Sequence, residues 1–125
     1  MSQLFKNINE LTIFIKNIFL SNSDFPGQEP SLSVIHKTFF IMDKFHRLQL
    51  IPSCVGPSVE SGIGITFDYS LQFAYIEVLN SGEIVFLIDT NGKNMQVWET
   101  NFNEPDQIDF AIKKILNHLT ATPQE

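Results

Sequence analysis

Cysteine, tryptophan and tyrosine are scarce in this sequence, and basic residues are scarce in most of its second half. Cys54 is the only cysteine, Trp98 the only tryptophan, and Tyr69 and Tyr75 the only tyrosines. One cysteine forms neither an intramolecular disulfide nor a cysteine-built zinc cage, as suits a reducing compartment. From Ile51 to Ile112, nine acidic residues stand against Lys93 alone, and the net charge is −6. That balance argues against broad nucleic-acid binding, where phosphate neutralisation supplies most of the affinity. It leaves room for a basic protein partner. Long apolar runs are missing too. Lys6, Glu10 and Lys16 break up the apolar N-terminus before an export h-region forms. No window approaches the ~20 apolar residues that cross a bilayer. The expectation is a cytoplasmic protein with no membrane span.

What the sequence does have is phenylalanine, twelve in 125 residues, within an apolar fraction of 43%. That content suits one Phe-rich core and a single domain covering residues 1–125. Leu4, Ile8, Leu11, Ile15 and Ile18 recur at helical spacing, so a first helix is expected over residues 2–20. Ile13 and Phe14 fall off that stripe, which predicts cover on more than one side. Residues 21–30, SNSDFPGQEP, read as a loop. Ser31 or Ser33 then caps a second helix that ends before Pro52, with Ile35, Phe39, Met42 and His46 on one face.

Beyond Pro52 the apolar period changes from 3.6 to 2. Ile63, Ile65 and Phe67 alternate with Gly62, Gly64, Thr66 and Asp68. FAYIEVL (73–79), IVFLI (84–88) and MQVWE (95–99) follow as strands. Asn91-Gly92 is a strong hairpin signal, because a type I′ turn needs positive φ at both central residues. Connections this short force antiparallel neighbours. The reading is an α+β fold: two N-terminal helices, a four- or five-stranded antiparallel meander with residues 53–55 as the extra edge, and a C-terminal helix on one sheet face. Asn103 is the expected cap of that last helix, and Pro105 suits its first turn.

Gly62 and Gly64 are the nearest thing to a chemical motif. A phosphate loop places its glycines between a strand and a helix N-terminus, whereas these lead into a strand without a Walker Lys or Ser/Thr. They are expected to let a large side chain or a helix lie close to the backbone. Pro57, then Ser61-Gly62-Ile63-Gly64-Ile65-Thr66-Phe67, Tyr75-Ile76-Glu77-Val78 and Ser81-Gly82-Glu83-Ile84 resemble a group of small uncharacterised bacterial proteins. Those share a proline, Gly-Gly-Ile-x-Leu-x-aromatic, a short loop, a second strand and a glycine turn. The resemblance covers residues 50–90 and departs at Ser61 and Phe67, where glycine and tryptophan are common. It implies hairpin geometry and brings no catalytic residues with it.

His36, His46 and His118 are too scattered for a local metal motif, and no metal or cofactor is expected. Two functional readings remain. The first is a non-catalytic protein-interaction module of regulatory or immunity type, homodimeric or bound to another protein. Its strands are apolar on both faces, and helices sharing one face leave the other to be covered. Tyr75, Phe86, Trp98 and Phe73 are its interface candidates, and Glu77, Asp89 and Glu99 its acidic face. The second reading is a small hydrolase or ligand-binding protein with a pocket between the second helix and the sheet, using His46, Asp43 or Cys54.

Overall fold

The computed structural model describes residues 4–22 and 24–121. Its elements run α1 (Ile8–Ser21), α2 (Leu32–His46), β1 (Cys54–Ser58), β2 (Gly62–Tyr69), β3 (Gln72–Leu79), β4 (Glu83–Thr90), β5 (Gln96–Asn101) and α3 (Pro105–Thr120). The strands lie in sequence order, each antiparallel to the next. The α+β meander is therefore as expected, with the extra edge strand present and longer than residues 53–55. Asn91 and Gly92 both take positive φ, 51° and 73°, in the turn before β5. The Lys93 amide closes that turn on the Thr90 carbonyl at 2.9 Å.

Helix ends follow local hydrogen bonding more closely than apolar period. α1 starts at Ile8, not near residue 2, because the Asn7 side chain accepts the Glu10 amide at 3.0 Å. Residues 2 and 3 of the expected helix lie outside the described residues. Ser31 caps α2 by accepting the Val34 amide. At the other end Gln49 takes φ 63°, and the amides of Gln49 and Leu50 donate to the carbonyls of His46 and Phe45. That pair of bonds is a Schellman stop made without glycine. α3 is capped by the backbone of Glu104 rather than by Asn103, whose amide is held instead by the Asn101 side chain.

All three helices pack on one side of the sheet. α1 lies on β1 and α2, α2 on β2 and β3, and α3 on β3, β4 and β5. Between the layers sit Ile63, Ile65, Phe67, Ile76, Ile84 and Phe86, closed from above by Leu11, Ile15, Ile41, Phe45, Ile108 and Ile115, all almost fully buried. Each such side chain contributes about 1.5–3 kcal/mol through removal from water. Phe45 meets Phe67 at 4.8 Å, and Phe86 stacks on Trp98 at 5.6 Å. The expected cover of α1 on several sides is not found. Ile13 is 60% exposed, because α1 is the outer helix of the layer: Leu11 and Ile15 are buried against its neighbours, while Phe14 meets Phe5 and Phe19 meets Phe25 at the edge.

The loop before α2 is tied to the sheet by two side chains: Ser61 accepts the Gln28 amide at 2.9 Å, and Asn80 makes two bonds. Asn80 accepts the Ser31 amide at 2.9 Å and donates to the Glu29 carbonyl at 3.0 Å. No described helix is long and apolar enough to cross a membrane.

Candidate functional site

Alternation along a strand sends successive side chains to opposite faces, and the register shows which side chains share a row. The helix-covered rows run Val55–Ile65–Ile76–Phe86–Trp98 and Ile63–Val78–Ile84–Thr100. The rows between them carry no helix. One runs Cys54–Thr66–Tyr75–Leu87–Val97, and the next Gly56–Gly64–Glu77–Val85–Glu99. A third sets Asp68 beside Phe73 and Asp89. Phe73, Tyr75, Leu79, Val85 and Leu87 are each only partly exposed, and Val97 is 59% exposed. The open face is thus apolar at its centre.

Its middle is organised by glycine. A Cβ on Gly64 would stand 2.5 Å from the Tyr75 hydroxyl oxygen, so the bare backbone lets the phenol lie across β2. That hydroxyl donates to Glu77 Oε2 at 3.2 Å, and the Ser58 hydroxyl donates to the same oxygen. Ser58 Oγ in turn accepts the Glu60 amide at 3.1 Å. Burial first, then the Glu77 charge and its hydrogen bond, push the Tyr75 phenol up to about 12. A tyrosine held protonated in this way is a fixed donor and a weak acid. The space above Gly56 is open.

The charge on this face has one sign. Asp68, Glu77, Glu83, Asp89 and Glu99 all fall on its rows or their ends. None of the five strands contains a lysine or arginine. Apart from Glu77, these carboxylates lie towards the margins of the sheet.

The structure separates the residues singled out from the sequence. Phe73 and Tyr75 do lie on the open face, with Glu77, Asp89 and Glu99. Phe86 does not: it is 0% exposed and points into the helix layer. Trp98 lies beside it, its ring under the Lys114 ammonium at 4.4 Å. Their parity along β4 and β5 places both on the covered side. Leu87, Val85, Val97 and Ser58 take their place on the open face; the signal for them was the parity set by Gly62 and Gly64, carried across the hairpins.

The three candidate residues of the alternative pocket do not come together. Cys54 is exposed on the open face, whereas Asp43 and His46 belong to α2 on the other side of the sheet. Asp43 pairs with Arg47 at 2.9 Å. The hollow beside Asp43 and His46, closed by Leu4, Phe39 and Leu50, has room for about 20 Å³, the size of one water. Among the described residues, no three His, Cys, Asp or Glu side chains gather as a metal site. Compared with known proteins, the chain matches no family model, no curated protein and no solved structure.

Proposed function

We propose that the protein is a non-catalytic interaction module, of regulatory or immunity type, and that the uncovered sheet face is its binding surface. The observation that carries this reading is the placement of all three helices on one side. The other side keeps Phe73, Tyr75, Val85, Leu87 and Val97 in contact with water. Contiguous apolar patches of this kind on soluble proteins mark interaction sites.

The charge of the face selects the occupant. A second copy docked face to face sets the same five carboxylates against each other with no cation among them. Like charges juxtaposed at an interface are unfavourable, and complementary ones speed and direct association. The partner is therefore a protein whose surface combines apolar side chains with lysine or arginine.

A photo-reactive residue in place of Leu87, with the same residue in place of Phe110 as a control on the helix side, tests this in the protein's native cells. The expected adduct forms from position 87, with a basic protein, and is lost when Glu77 and Glu99 are changed to Lys. Self-adducts from position 87 would give the face to a second copy instead. Adducts from position 110 alone would overturn the reading.

A further inference from the structure

On the helix side, α2 and the segment joining β5 to α3 flank a second feature, an open groove independent of the open sheet face. Leu32, Ser33, His36, Lys37, Phe40 and Phe102 line a groove of about 550 Å³. Leu32 is 64% exposed and Phe40 48%, so its walls present apolar surface to water. The volume lies in the range of small-molecule sites, about 300–1,000 Å³.

Lys37 sets the chemistry. Its ammonium lies 5.5 Å from the ring centroids of both Phe40 and Phe102. No described carboxylate pairs with it. Lys44, one turn beyond Phe40, differs: it also lies over the Phe40 ring, at 4.7 Å, but is neutralised by Asp109 at 2.8 Å. Ring faces attract a cation, yet each such contact contributes only about 0.5–1 kcal/mol at exposed sites. They orient the ammonium without cancelling its charge. The lining contains no acid, in a chain whose net charge is −6. Ser33 and His36 add polar groups at the same wall.

We infer that this groove binds a small aromatic carboxylate, its ring between Leu32, Phe40 and Phe102 and its carboxylate on Lys37. A single compact cation in a mostly apolar groove matches one carboxylate on an apolar body, and the lining has no arginine to add the bidentate contacts that favour phosphate. Unlike the open face, the groove is thus built for an anion.

The test is a titration with naphthoate, followed by backbone amide shifts. Saturable shifts are expected at Ser33, His36, Lys37 and Phe102, with none along β3 and β4. Lys37→Met, or Lys37→Gln if the first lowers the melting temperature, weakens binding by about tenfold or more, and neutral naphthylmethanol binds correspondingly more weakly to the native protein. Shifts that do not saturate, that centre elsewhere, or that persist with unchanged affinity in both Lys37 variants would overturn the assignment.

Discussion

Tyr75 donates its phenolic proton to Glu77, two residues along the same strand, across a distance of 3.2 Å. The bond holds the ring over Gly64, and burial first, then the Glu77 charge and this bond, push the phenol from its ordinary value of 10.0 up to about 12. Below pH 10 both folded and unfolded chains hold this proton, and the stabilisation is fully present. Between 10 and 12 the unfolded chain loses it first, so stability falls as pH rises through that window. Urea unfolding across the window should show a steeper loss for the native protein than for Tyr75→Phe. Equal slopes would mean that the phenol is not held as described.

Gly62 and Gly64 should respond differently to alanine. A Cβ on Gly62 overlaps the Val78 carbonyl oxygen and crowds the Leu79 backbone, neither of which can swing away. The nearest atoms to a Cβ on Gly64 belong to the Tyr75 side chain, which can. Gly62→Ala is expected to cost about 3 kcal/mol, at the upper end of overpacking effects, and Gly64→Ala about 1 kcal/mol with the Tyr75–Glu77 bond lost. Thermal melts of the two variants decide this, and a reversed order would contradict the register.

Adjacent residues on β4 make a sharper contrast. Phe86 is fully buried against Trp98, so Phe86→Ala should cost about 3–5 kcal/mol. Leu87 faces the open side, and Leu87→Ser should cost under about 1 kcal/mol. Denaturant midpoints that move equally for both would show that β4 is not one-sided.

Gln49 holds positive φ at the end of α2. Glycine takes that conformation without a Cβ penalty, so Gln49→Gly should raise stability by about 1 kcal/mol. A lower melting temperature in the variant would argue against the Schellman stop.

Architecture was legible in the sequence because period and turn chemistry agreed with each other. The switch from 3.6 to 2 after Pro52, the Asn91-Gly92 turn and the short connections together leave little but a meander behind two helices. Parity was harder to read. IVFLI is apolar at every position, so hydrophobicity alone cannot say whether Phe86 or Leu87 faces the helices. α1 began later than its apolar stripe because the Asn7 cap, a local hydrogen bond, overrides the pattern. The Ser58–Glu77–Tyr75 cluster joins β1 to β3 across β2 and exists only once register is set, so no sequence window contains it. The groove at Lys37 likewise needs Phe102, far along the chain, to close its second wall.

The central claim is that the open sheet face is covered by a partner in the cell. A single cysteine placed at its centre, Leu87→Cys in a Cys54→Ser background, measures that cover through its rate of alkylation. The rate in freshly permeabilised native cells should be several-fold slower than for the purified protein, and should recover when Glu77 and Glu99 are also changed to Lys. Equal rates in cells and in purified protein would contradict the account.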